Sequence, residues 1–286
     1  MPELPEVEIL VRHLAPLLKN KTIRGIQVHR AKVISPTSES QLVRTLQGAT
    51  FTGLIRRGKY LLFNLRPPHR RGRAPILLVG HLGMTGRMYL LPQKESLPKH
   101  AAVVLGLGRH NLVYEDTRYF GRFTLDTSSL ARLGPEPLGS DFTVKYFAAA
   151  LKRSAQSIKV KLLDQTLVTG VGNIYASESL FRARVSPKLA SRGLTMAQVK
   201  LLWRTIREVL AEAIQAGSTV PLDFAGTRGR DGLFYYGSTG NESEFYQERL
   251  LVYDRRGQPC QNCRTSIRRL FQAARSTFYC PRCQRA

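Results

Sequence analysis

The stretch LGPEPLGSD, residues 133–141, divides the sequence. Its two glycines and two prolines cannot continue a helix or a central strand, so it reads as a linker between two structural regimes. Before it, from about Ile23 to Leu125, come short runs rich in β-branched and aromatic residues, broken by Gly and Pro. Examples are IRGIQVHR, YLLFNL, ILLVGHL, AAVVLGL, NLVYE and GRFTL. They predict an all-β region, a sandwich with one helix attached. That helix spans residues 5–18: Pro5 suits a first helical position, Glu6 and Glu8 suit the first turn, and Val7, Leu10, Leu14 and Leu17 form an apolar stripe.

After the linker the periodicity becomes helical. In TMAQVKLLWRTIREVLAEAIQAG, Thr195 and Gln198 form a capping box, Val199, Leu202, Ile206, Val209 and Ala213 form the buried stripe, and Gly217 ends the helix. Residues 218–248 are Gly-rich and irregular, and TRGRDGLFYYGSTGNESEF reads as a mobile loop. A cysteine-bearing module closes the chain. The expected domains are 1–135, 136–225, a connector at 226–249 and a terminal module at 250–286.

The 286 residues carry 44 Lys and Arg against 20 Asp and Glu, a formal charge of +24 spread along the chain. A polyanion is the expected partner, and nucleic acid suits it better than anionic lipid. No apolar run approaches the roughly 18 residues of a spanning helix, and the N-terminus has no signal-peptide order. A soluble cytoplasmic protein is expected. RPPHRRGRAP, residues 66–75, is a basic loop between two strands, suited equally to a solvated tip or a DNA contact.

The four cysteines form two CxxC pairs, Cys260/Cys263 and Cys280/Cys283, separated by 16 residues. That spacing predicts one structural zinc ion with two sulfurs from each knuckle. Between the pairs lie Arg264, Arg268, Arg269 and Arg275, a basic finger suited to phosphate contact. Gly170-Val-Gly-Asn173 precedes an apparent helix, and such a turn can offer backbone N–H groups to a DNA phosphate. The plainer reading is a turn with Asn173 as N-cap. At the other end, MPELPEVE would expose a Pro2 amine if Met1 is removed. Its pKa would be about 8, against roughly 10.4 for lysine, so it would be nucleophilic near neutrality. Attack on a sugar carbon would give an iminium ion, an electron sink for elimination.

The strings MPELPEVE, RRGKYLL, GHLGMTG, EDTRYFG, LGPEPL, GVGNIYASESLF and CxxC…RSTFYCPRC, taken in order, resemble the bacterial formamidopyrimidine-DNA glycosylases from end to end. The resemblance implies a multidomain α+β protein: an N-terminal β-sandwich with its helix, a helix–two-turn–helix domain and a C-terminal β-hairpin zinc finger. It implies a bifunctional glycosylase and AP lyase that removes oxidised purines. The partner would be double-stranded DNA with oxidised bases or abasic sites, bound by a monomer. By motif, Pro2 would be the Schiff-base nucleophile, Glu3 the acid that helps open the deoxyribose ring, and Glu6 a supporting group. Lys59 would contact phosphate and assist elimination; Arg275 would hold a flanking phosphate and assist the second elimination. Asn173 would pair with Arg275, with Lys159 in the helix leading there. His81 and His100 match DNA-contacting histidines, and Met84, Arg118 and Phe120 match residues that fill the void left by a flipped base.

Four features depart from the family pattern. Tyr119 stands where a second basic residue is common, LKRSAQS before Lys159 is thinly basic, and residues 66–75 look inserted. The segment after Leu222-Asp223-Phe224, matching the family's capping loop, is longer. The alternatives are an endonuclease VIII-like enzyme for oxidised pyrimidines and a non-catalytic zinc-ribbon DNA-binding protein. Leu4 and Arg118 argue against the first, MPELPEVE and Lys59 against the second.

Overall fold

The structure is a computed structural model that describes residues 2–68, 74–217 and 250–285. The predicted capping-type loop at 226–249 and the centre of the basic loop at 66–75 lie outside the described residues. The chain divides into two compact units. Among described residues the first takes 2 and 6–131, and the second 3–5, 132–217 and 250–285.

The first unit is a sandwich of two four-stranded antiparallel sheets. One has the order β2 (Thr50–Arg57), β3 (Tyr60–Arg66), β4 (Ile76–His81), β8 (Arg122–Thr124). The other has the order β1 (Gly25–Val28), β6 (Ala101–Gly106), β7 (His110–Asp116), β5 (Gly86–Pro92). The two inner faces supply Phe51, Phe63, Leu65 and Phe123 on one side and Met88, Leu105, Leu112 and Tyr114 on the other. Phe63 meets Phe51 and Phe123 edge-on, with ring centroids 6.0 and 5.7 Å away. Helix α1 (Leu4–Leu18) adds Val7, Leu10, Leu14 and Leu18 to this core; Leu18, not the expected Leu17, completes the buried stripe, and Leu17 packs against it only partly buried. Each such side chain contributes about 1.5–3 kcal/mol on burial, so the stripe explains why α1 belongs here.

The region is not all-β as the sequence suggested. It holds two further helices, α2 (Ala31–Ile34) and α3 (Glu39–Leu46). The Ser38 hydroxyl caps α3 by accepting the Gln41 N–H at 3.2 Å, while Leu42 and Leu46 reach the core. The polar face of α3 hid this amphipathic turn among the strand signals.

The second unit holds α4 (Val144–Lys152), α5 (Ile158–Leu162), α6 (Asn173–Arg182) and α7 (Met196–Gln215). The Thr195–Gln198 capping box is present, the stripe from Val199 to Ala213 is buried, and Gly217 takes a left-handed φ of +88° two residues past the helix. Between α5 and α6 the chain turns twice. Asp164 accepts from Thr166, and Gln165 bonds Gly170 N–H and Val171 C=O at 2.9 Å each. The 133–141 stretch is strapped to this unit and not a free linker. Gly134 N–H donates to Gln165 O, and the Arg207 guanidinium donates to the Pro137 and Gly139 carbonyls at 2.6 and 3.0 Å. The unit ends in a hairpin, β9 (Arg268–Gln272) with β10 (Arg275–Tyr279).

Candidate active site and nucleic-acid contacts

In the second unit, Glu3 lies at the N-terminus of α6. Its carboxylate is buried and accepts Ile174 N–H at 2.9 Å and Tyr175 N–H at 3.5 Å. Helix N-termini favour negative charge because the first N–H groups lack intrahelical partners. The Gly-rich turn makes this approach possible. A Cβ on Gly172 would stand 2.2–2.6 Å from the Glu3 carboxyl atoms. The neighbouring residue adds a second anchor, since Leu4 N–H donates to Gly170 O at 3.1 Å and the Leu4 side chain sits in the helical core.

This corrects two expectations. The anion at the α6 N-terminus is the chain's own Glu3 carboxylate, so Ile174 and Tyr175 N–H are not offered to a DNA phosphate. The N-cap is Gly172, and Asn173 is the first helical residue. The Asn173 side chain is spent elsewhere: Oδ1 accepts Lys159 Nζ at 2.5 Å and Nδ2 donates to Ser276 O at 2.8 Å. Asn173 thus braces α5 and β10 together. Lys159, which the resemblance counts among the DNA-binding residues, is fully buried.

Arg275 is exposed at the start of β10, one residue before the carbonyl that Asn173 holds. It follows a two-residue turn in which Ala273 and Ala274 both have left-handed φ, +48° and +56°. That conformation costs an L-residue about 1–2 kcal/mol, so the hairpin tip is held against a local preference. The finger is fixed at its root as well. Glu178 on α6 is buried and accepts backbone N–H from Leu251, Val252 and Tyr253 at 2.8–3.0 Å. Burial still holds its carboxyl above the usual range. The sequence reading missed Glu178. A carboxylate inside a helix buried from Ile174 to Phe181 was its signal.

The four cysteine sulfurs lie within 4.8 Å of one another. The shortest separations are 3.5 Å (Cys263 to Cys280 and to Cys283) and 3.9 Å (Cys260 to Cys283). Sulfurs bound at about 2.3 Å around a tetrahedral ion would stand about 3.8 Å apart. Hydrogen bonds from Thr265 pull the Cys263 thiol down to about 6, while burial and the neighbouring sulfurs push Cys283 up. Sulfurs this close cannot all ionise without a cation between them, so the donor set fits zinc.

In the first unit, Pro2 and Glu6 are buried, and Lys59 is buried in the β2–β3 turn. Glu8, the third carboxylate of the opening, pairs with Arg12 and Arg56 at 2.8 Å each. His81 ends β4 with its ring 4.7 Å from that of Tyr60, and its Nδ1 accepts Gly83 N–H at 3.1 Å. Burial, then the Lys59 and Arg122 charges, push its pKa down to about 4 against a smaller opposing pull from Asp116. The ring is therefore neutral near pH 7 and keeps its proton on Nε2.

Met84, Arg118 and Phe120 come together on two touching loops. A Cβ on Gly83, whose φ is +62°, would stand 2.6 Å from Gly121 N and 2.7 Å from Phe120 C. Met84 and Phe120 are 40 % and 48 % exposed, so neither is a core residue. The Arg118 guanidinium lies 4.7 Å from the Phe120 ring. Asp116, which the sequence reading passed over, organises both loops. Its carboxylate accepts Thr85 Oγ1 at 2.7 Å, Arg118 N–H at 3.2 Å and Gly121 N–H at 2.9 Å, and it is fully buried. Tyr119 adopts a left-handed φ of 52°, and its hydroxyl lies 3.4 Å from His100 Nδ1.

Three family models match the chain in series. They are the formamidopyrimidine-DNA glycosylase N-terminal domain at residues 1–123, the H2TH domain of the same glycosylase at 133–223, and a zinc finger found in FPG and IleRS at 257–286. All four cysteines fall in the finger, so their cluster is its zinc site. The formamidopyrimidine-DNA glycosylase of Symbiobacterium thermophilum is 40 % identical over 99 % of this chain and 89 % of its own length. That of Carboxydothermus hydrogenoformans is 38 % identical over the full length of both. Among solved structures, MutM in complex with DNA containing carbocyclic 8-oxo-G superposes with a TM-score of 0.85 at 32 % identity, covering all of both chains. The Lactococcus lactis enzyme bound non-covalently to DNA with an AP site gives 0.84 at 31 %, covering 99 % of this chain and all of that one.

Proposed function

Because the chain belongs to the formamidopyrimidine-DNA glycosylase family over its whole length, we propose that it removes oxidised purines from double-stranded DNA through a Schiff base at Pro2. It is a base-excision repair enzyme with glycosylase and AP-lyase activities. The observation that carries the residue assignment is Glu3, a buried carboxylate fixed by the α6 N–H groups one residue from Pro2.

The freed Pro2 nitrogen attacks C1′ of the damaged nucleotide, and the bond from C1′ to the base breaks. Glu3 takes the proton that the attacking Pro2 amine gives up and delivers it to the ring oxygen, which opens the deoxyribose and leaves an iminium at C1′. The iminium accepts the electron pair left when the C2′ proton is removed. The bond to the 3′ phosphate then breaks, and a second elimination breaks the bond to the 5′ phosphate. Lys59 and Arg275 neutralise the phosphates at these positions, and Glu6 supports the amine. Asn173 and Lys159 act through position, by bracing the hairpin that carries Arg275. Met84, Arg118 and Phe120 fill the void of the flipped base, while His81 and His100 contact the backbone. Zinc holds the finger and takes no part in the chemistry.

The proposal also covers the domain limits near 135 and 225, a monomeric state and a cytoplasmic location. Among the described residues no helix is long and apolar enough to cross a membrane. Arg118 favours the purine enzyme over the pyrimidine one, because a guanidinium can donate to the acceptor edge of an orphaned cytosine.

The test is borohydride trapping on a duplex with 8-oxoguanine opposite cytosine, beside a thymine glycol duplex. A covalent adduct should form through Pro2, form faster on 8-oxoguanine, and vanish when Met1 is retained. Normal trapping by the Met1-retaining form would overturn the Pro2 assignment, and faster release of thymine glycol would overturn the lesion class.

A further inference from the structure

The first unit carries a cleft that the repair site does not use. It has a volume of about 890 Å³ and lies among the segment after α1, the start of β1 and the β6–β7 turn. Lys21, Arg24, Arg109 and His110 line it, together with the amides of Gln27 and Asn111, and no Asp or Glu does. Lys21, Arg24 and Arg109 are exposed, and none has a carboxylate partner among the described residues. The Arg24 guanidinium lies along Gly108, where an added Cβ would stand 3.6 Å from Cζ. Gly108, at a φ of +98°, forms the tip of the β6–β7 turn, and Arg24 N–H donates to Gly106 O at 2.7 Å. The backbone thus sets these cations around one concave surface.

Strand β7 fixes where this surface stands. It runs from His110 in the cleft to Asp116, which anchors the Arg118 loop. Six residue steps of a strand span about 20 Å, roughly the width of a DNA duplex. The cleft and the Arg118 loop therefore occupy opposite ends of one sheet. Small-molecule pockets of this volume are mostly apolar with a few polar groups. This one is cationic and polar, with its charges in contact with solvent. That is the character of a surface that meets a phosphate backbone by counterion release.

We propose that this cleft is a second phosphate-binding site, taking the phosphodiester backbone of a nucleic-acid segment other than the one at Arg118. The proposal rests on the repair reading only for the polymer's identity. A free nucleotide or pyrophosphate is the other source of the same chemistry.

The full zinc-loaded protein is first saturated at low salt with a short duplex carrying a stable abasic analogue, then titrated with hexathymidylate. The amide resonances of Gly106, Gly108 and Asn111 should move only in the second titration. Arg24→Glu with Arg109→Glu should weaken that second event by at least about tenfold, and the two alanine changes should lower its salt slope by about 2. Excision of 8-oxoguanine should stay within about twofold of wild type in both variants, since neither residue touches the Arg118 loops. Unmoved resonances, or equal binding by the charge-reversed protein, would overturn the second site. So would joint collapse of binding and excision, because the two loci would then be one. If pyrophosphate moves these resonances and hexathymidylate does not, the polymer assignment is overturned in favour of a free phosphate. Absence of excision by the wild-type protein would count against the repair reading while leaving the cleft's binding intact.

Discussion

Glu3 stands where the α6 backbone leaves no space for one more carbon atom. Replacing Gly172 with alanine puts a methyl group inside the Glu3 carboxyl contact, so the carboxylate must leave the Ile174 and Tyr175 N–H groups. A displacement of about 1 Å near reacting atoms can cost about a hundredfold in rate. Gly172→Ala should therefore lower single-turnover excision by about that factor while duplex affinity changes only slightly. Near-wild-type excision would show that this contact does not position the acid. His81 makes a prediction about pH. Its folded pKa of about 4 lies below the ordinary 6.5, so between these values the unfolded chain binds more protons than the native one. This contribution is fully present above pH 6.5 and is lost as pH falls towards 4, by less than about 3 kcal/mol because the ring keeps some solvent contact. Thermal melts of His81→Gln should show a shallower loss of stability across that window, and the imidazole resonances of the native protein should titrate near 4.

At the scale of elements, the finger is a short hairpin whose position is imposed from outside it. Glu178 holds its root, Asn173 holds Ser276, and Gln272 reaches Ser157 and the Pro187 carbonyl at 2.9 and 3.1 Å. Its own core is small: Val252, Ile267 and Phe278 beside Cys260 and Cys280. So little apolar area cannot order the strands without the metal. Cys263→Ser, or chelation of the zinc, should misplace Arg275 and lose its charge-assisted phosphate contact. DNA affinity should drop by about tenfold to a hundredfold, as read by anisotropy beside zinc analysis. Helices α4–α7 should remain folded by circular dichroism, because their core runs through Phe147, Leu162, Tyr175 and Ile206. Full affinity in a zinc-free protein would contradict this division of labour.

For the whole molecule the dominant quantity is charge. A formal +24 on 286 residues makes DNA binding largely a counterion exchange. With about six to eight phosphates neutralised, log affinity should fall against log salt with a slope of about −5 to −7. His81 adds nothing to that slope near neutral pH because its ring is uncharged there. A slope near zero would remove the polyanion from the account.

The sequence by itself determined the order of structural regimes, the α1 and α7 helices with their stripes, the zinc ligands and the family. These follow from local periodicity, capping chemistry and fixed spacing, all of which are short-range along the chain. It also led to Glu3, Lys59, Asn173, Arg118 and Arg275 as candidates, through motifs that survive as strings. It did not yield α3, whose two buried leucines are outnumbered by polar residues. Nor did it show that the α6 N-terminus is filled by Glu3, 171 residues away from Ile174. Asp116 and Glu178 likewise read as ordinary charged residues until folding buries them, Asp116 against the Thr85 hydroxyl, 31 residues away, and Glu178 among backbone N–H groups of residues 251–253, 73 to 75 residues away. Only the tertiary structure decided these partners. A backbone N–H group has no sequence signature of its own, and which carboxylate satisfies it depends on where the whole chain has gone.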